Sequence, residues 1–164
     1  MLNQIFEWKK VRVFLEYAVY LVLTMLLQAL LFSRLSFFGA KGFIIPAAAV
    51  AAGIYLGGVK GAVFGLLLGL FTDMNFSEST VLFTILFSLI GFASGFLSEF
   101  YINKSFTAFM ILSTAAILFT GLVQLVFAII TSGAELLPGL LTVALQTLLS
   151  ILPVMLLYLP FRDK

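Results

Sequence analysis

Residues 43–73 read FIIPAAAVAAGIYLGGVKGAVFGLLLGLFTD, and Lys60 and Asp73 are the only charges among them. Gly53, Gly57, Gly61, Gly65 and Gly69 recur at intervals of four. On a helix, positions i and i+4 share one face, so this row makes a groove that lets another backbone approach closely. GVKG at 58–61 reads as a turn. At 1.5 Å per residue, 43–57 covers about 22 Å and 62–72 about 17 Å, both short of a hydrocarbon core of about 30 Å. A merged helix would run about 45 Å with Lys60 near its middle. The stretch therefore reads as two short spans, or as a re-entrant hairpin.

The rest of the chain has the same character. Of 164 residues, 63% are apolar and 13 more are glycine. Soluble domains reach about 45–50% with glycine included. Only nine basic and seven acidic residues are present. A soluble domain of this size leaves about 30% of its surface exposed, which is too much to cover with so few polar groups. The bilayer is the expected solvent, and a cytosolic enzyme, a nucleic-acid-binding domain and a disordered tail are excluded. There are no cysteines and no histidines. Thiol nucleophiles, imidazole bases and Cys/His metal or haem sites are excluded with them.

Polar breaks divide the chain into a single transmembrane domain, 1–164. A basic arm, 1–13, carries Lys9, Lys10 and Arg12. Spans are expected at about 14–33, 43–57, 61–73, 80–97, 106–131 and 138–160. The first is read as an uncleaved span, because SRLSFFG follows it in place of an A-x-A-like cleavage site. With six spans and the N-terminus inside, the inner segments hold Lys9, Lys10, Arg12, Lys60, Lys104, Arg162 and Lys164. The outer loops hold Arg34 and Lys41. The positive-inside rule prefers this arrangement to five spans. The expected fold is an all-α integral membrane protein, a six-span helical bundle with short second and third helices. Both termini are expected to be cytoplasmic.

Individual residues carry further expectations. Gly91 and Gly95 repeat the small-xxx-small spacing. The glycines either pack this protein's own helices together or receive a partner's helix. Pro46 reads as a helix start, and Pro153 as a mid-helix kink. Asp73 ends the glycine row, as an interfacial cap or a functional contact. Glu16 is expected to pair with Arg12, and Glu99 and Lys104 to be solvated in one loop, 98–105. Gln28, Gln124 and Gln146 could bond across helices or contact a solute. The 19 phenylalanines read as mostly lipid-facing. Trp8, Tyr17, Tyr101 and Tyr158 fall near inner boundaries, as interface belts do.

Gly61-Ala-Val-Phe-Gly65-Leu-Leu-Leu-Gly69-Leu-Phe-Thr-Asp73 resembles the signature of the rod shape-determining protein MreD family, approximately G-x-x-x-G-[LF]-x-x-G-[LF]-x-x-D. Pro46 at the start of the second span agrees with it. So does Gly91-Phe92 followed by Gly95, which is similar to the family's G-[YF]-x-x-G. The chain departs from many relatives after Asp73, where Met74-Asn75-Phe76-Ser77-Glu78 replaces a small or glycine-containing turn. The resemblance implies a fold similar to the substrate-binding subunits of energy-coupling-factor transporters. It implies a non-enzymatic scaffold of the bacterial cell-elongation (rod) complex in the inner membrane. That scaffold binds a bitopic MreC-type protein and links MreB to the peptidoglycan synthase pair outside.

On this reading the residues for partner binding or helix packing are Pro46, Gly61, Gly65, Gly69, Asp73, Gly91 and Gly95. No catalytic residue, metal or cofactor is expected. The alternative is a solute-binding subunit of a vitamin-type transporter, with Gln28, Asp73, Gln124 and Gln146 as its polar groups. An intramembrane enzyme would have only Asp73 and Glu16 near membrane depth.

Overall fold

The computed structural model describes residues 17–32, 36–37, 40–75, 81–101 and 105–158. The basic arm, Trp8, the Arg12–Glu16 pair, Arg34, Lys104 and residues 159–164 lie outside the described residues. The fold is helical. Helix α1 runs Tyr17–Leu30, and its end widens into a π-helical turn, Gln28–Phe32. A two-residue antiparallel pairing of Ser36–Phe37 (β1) with Ala40–Lys41 (β2) follows. Then come α2 (Ile45–Leu56), α3 (Gly58–Asn75), α4 (Leu82–Phe100), α5 (Phe106–Ser132) and α6 (Leu136–Tyr158). Among the described residues, α4, α5 and α6 are long and apolar enough to cross a membrane.

Helix α2 sits at the centre. Its sequence, IPAAAVAAGIYL, has no polar face, and every residue from Ile45 to Ile54 is buried. Apolar all round, the helix has no side that needs water. Its alanines keep it thin, so α3, α4, α5 and α6 all pack directly on it. At twelve residues it is about 18 Å long. Ser94 of α4 lies beside Val50 and Ser98 beside Ile54. Helix α2 therefore runs parallel to α4, alongside its second half only. The extended residues before α2 enter at the depth of α4's middle, where Phe43 packs against the rings of Phe83 and Phe87, each 5.9 Å away. Irregular backbone at such depth is tolerated when protein encloses it, and Phe43 and Ile44 are both buried.

The expected turn at 58–61 is corrected. The break is the single residue Gly57, whose φ of 91° suits a residue without a Cβ. Its N–H closes α2 on the Gly53 carbonyl, and α3 starts at the next residue. Helix α3 therefore contains Lys60 and runs past Asp73 to Asn75, longer than the expected 61–73. Helix α4 likewise reaches Phe100, so Glu99 lies in its last turn and not in a loop. Pro138 falls in the first turn of α6, where a missing N–H costs nothing, and Pro153 lies inside that helix. The reading of the phenylalanines as lipid-facing bulk fails for Phe43, Phe64, Phe83, Phe87 and Phe109, which are all buried. Phe109 is fully enclosed and meets Tyr158 at 5.7 Å.

Candidate functional site

Of the expected site residues, Gly61, Gly65, Gly69, Asp73, Gly91 and Gly95 converge on the joint between α3 and α4, while Pro46 stands apart at the start of α2. The two helices run antiparallel, with Gly58 against Gly95 and Gly61 against Gly91. Gly65 lies against Phe87, and Gly69 against Phe83 and Thr84. A Cβ on Gly61 would come within 2.7 Å of the Gly91 carbonyl oxygen and 2.5 Å of the Gly53 Cα. A Cβ on Gly69 would stand 2.5 Å from the Phe83 carbonyl oxygen, and one on Gly65 would strike the Phe87 carbonyl. These neighbours are backbone, which cannot rotate aside. The glycines are required because the two main chains touch. The turn at Gly57 does not end the row: Gly53 of α2 folds back onto Gly61, Gly91 and Gly95, so three helices meet at one glycine knot.

Each ridge ends in a carboxylate. Gly61, Gly65, Gly69 and Asp73 are spaced by four on α3, as are Gly91, Gly95 and Glu99 on α4. Because the helices are antiparallel, each acid arrives at the other helix's N-terminus. Asp73 accepts from the Phe83 N–H at 3.1 Å, the Thr84 N–H at 2.8 Å and the Thr84 hydroxyl at 2.6 Å. Helix α4 has no cap of its own at Val81, so Asp73 satisfies N-terminal donors that would otherwise be orphaned and answers the positive end of the helix dipole. Glu99 is exposed and accepts from the Gly58 N–H at 3.4 Å, a looser version of the same contact at α3. Glu99 is solvent-accessible as expected, but it stands in the last turn of α4 and not in a loop, and the spacing after Gly91 and Gly95 carried that signal.

The start of α2 is held separately. Gln28 donates to the Gly42 carbonyl at 3.0 Å and accepts from the Ile44 N–H at 2.9 Å. Ser150 of α6 accepts from the Phe43 N–H at 2.9 Å and donates to the Gln146 carbonyl at 2.7 Å. Pro46 is fully buried in the first turn of α2, where it removes a donor that would need a partner at that depth. Gln28 and Asp73 are thus each committed to backbone at a different helix start. Gln146 is buried and Gln124 half-buried. Ser150 gave no sign of its role in the sequence.

No family model, curated protein or solved structure matches the chain.

The arrangement is therefore judged on its own chemistry. Asp73 and Glu99 serve helix ends at opposite ends of the α3–α4 pair, and both act as hydrogen-bond acceptors from backbone. What they and the glycines do together is fix two helices at minimum separation.

Proposed function

We propose that the chain is a non-enzymatic membrane scaffold of the MreD type, within the bacterial rod complex. The observation that carries this reading is the joint itself. The residues that form the family-like signature, Gly61, Gly65, Gly69 and Asp73, meet Gly91 or its helix and share one structural task. A motif that builds a rigid helix pair, with no group left to do chemistry, suits a protein that holds others in place. The transporter alternative draws less support, because Gln28 and Asp73 are spent on capping backbone.

On this proposal the helices make six crossings, with the second completed by the extended entry at Phe43–Ile44 followed by α2. Both termini are cytoplasmic, in line with the seven-against-two distribution of basic residues. An MreC-type helix would dock on a face other than the glycine ridge, since α4 already covers that ridge. The partner links the scaffold to MreB inside and to the peptidoglycan synthase pair outside.

The test is co-expression with a tagged MreC-type bitopic protein. Wild-type chain is expected to co-purify with it. If that partner is never captured while a vitamin-sized ligand is, the transporter reading replaces the scaffold. Topology has its own readout, made clean by the absence of native cysteine. Cysteines at Ser77 and Ser132 should react with an impermeant thiol reagent in intact cells, and one at Ser105 should not. Reaction at Ser105 without reaction at Ser132 inverts the orientation.

A further inference from the structure

Helix α1 does not close fully onto α3. Between them lies a groove of 430 Å³. Its α1 wall is formed by Ala18, Leu21 and Val22, and its α3 wall by Val59, Val63 and Leu67. Tyr17 and Lys60 also line it and are its only residues with polar side chains. Their position along the groove follows from the register of α1. Gln28 of α1 bonds to the residues just before α2. Tyr17 and Ala18 share the groove with Leu56, the last residue of α2. Helix α1 thus runs antiparallel to α2 and parallel to α3, and the Tyr20–Phe64 ring contact at 5.8 Å fits that register. Tyr17 and Lys60 therefore share one end of the groove, and the remainder is hydrocarbon-like.

We propose that this groove holds an acyl chain of an anionic phospholipid, with the headgroup phosphate against Lys60. Three observations select this occupant. First, Lys60 is exposed. It lies in the first turn of α3, where the helix dipole adds to its positive charge. At about 100° per residue it stands about 200° around the helix from Gly58, on the side away from Phe92 and Phe96 of α4. Second, the sequence leading into α1 is basic, with Lys9, Lys10 and Arg12. Each basic residue next to a membrane-spanning helix adds to its attraction for anionic headgroups. Third, the walls are the wrong kind for a helix. Helices in lipid seat against small residues, and here Val and Leu dominate, with Ala18 the sole small residue of the lining. The glycine face of α3 is on its other side, already covered by α4. A flexible chain fits between bulky walls that a helix backbone cannot approach.

The proposal rests on the chain lying in a bilayer and not on the scaffold reading. The full chain is purified in mild detergent, exchanged into bilayer discs of phosphatidylglycerol or phosphatidylcholine, re-extracted, and assayed for retained lipid by native mass spectrometry. Wild type should retain phosphatidylglycerol in preference to phosphatidylcholine. Lys60→Gln should reduce that preference by about fivefold, the share one lysine carries at an anionic surface. Val63→Trp should fill the groove and abolish retention of both lipids, with helix content unchanged by circular dichroism. Equal retention of the two lipids by wild type, or an unchanged preference in Lys60→Gln, overturns the headgroup contact. Undiminished lipid on folded Val63→Trp overturns the groove as the site. A lipid-free wild type that elutes as a dimer gives the groove to a second copy of the chain and also overturns the proposal.

Discussion

Helices α3 and α4 form one antiparallel pair and α5 and α6 another, yet the two pairs are joined by different means. Along α3–α4 the glycines meet backbone: Gly61 meets Gly53 and Gly91, Gly65 meets Phe87, and Gly69 meets Phe83 and Thr84. Along α5–α6 the glycines meet side chains. A Cβ on Gly121 would stand 2.8 and 3.4 Å from the Val143 methyls, and one on Gly139 would meet the end of Leu125. The second pair is a knob-and-hole contact, adjustable by rotation of a side chain. The first is a contact of main chains, with nothing to adjust. In lipid, where apolar area gives no net drive for association, close main-chain approach and interhelical hydrogen bonds hold helices together. The α3–α4 pair uses both, through its glycines and the Asp73 and Glu99 caps.

The contrast has a measurable edge. Gly69→Leu should force α3 from α4 and cost about 3 kcal/mol or more, at the upper end of overpacking penalties. Gly139→Ala should stay within about 1 kcal/mol of wild type, since Leu125 can turn aside and alanine is the better helix former. Thermal unfolding in detergent compares the two. Equal losses would mean that main-chain contact has no special weight in the α3–α4 joint.

The two carboxylates sharpen the same comparison at smaller scale. Asp73→Ala removes the acceptor of three hydrogen bonds at the α4 start. The expected cost is about 1–2 kcal/mol, as for loss of a strong N-cap. Glu99→Gln touches an exposed side chain with one bond of 3.4 Å. Its cost should fall below about 0.5 kcal/mol, the range of ordinary surface changes. Melting temperatures of the two variants check the order. If Glu99→Gln proves the more damaging, the tighter cap is not the one that holds the pair.

Much of this was legible in the residues. The spacing of Gly61, Gly65, Gly69 and Asp73 announces a helix face that another backbone approaches, and the structure places α4 on it. Pro46 was read correctly as a helix start because proline fixes φ and lacks a donor wherever it stands. Helix ends were harder. GVKG has the composition of a turn, yet Gly57 alone makes it, because one residue at positive φ reverses the chain and releases the rest to α3. Asp73 was legible as a cap or a functional contact but not which helix it serves, and Glu99 looked like loop polarity, because their partners are backbone groups of a different helix and local sequence does not name a partner across space. The role of Ser150 was hidden for the same reason: it serves Phe43, far away in the chain. The lack of a polar face on α2 is plain in its composition, but its enclosure by four other helices depends on how they assemble.

The central claim is that the glycine ridge is an internal joint and not the surface that receives a partner. Gly65→Ala, studied on the chain purified alone, tests it most directly, because the new Cβ meets the Phe87 carbonyl and nothing outside the protein. The account predicts that this variant melts well below wild type with no partner present. A variant that melts like wild type by itself, yet no longer captures an MreC-type protein, would contradict it and make the ridge the docking surface.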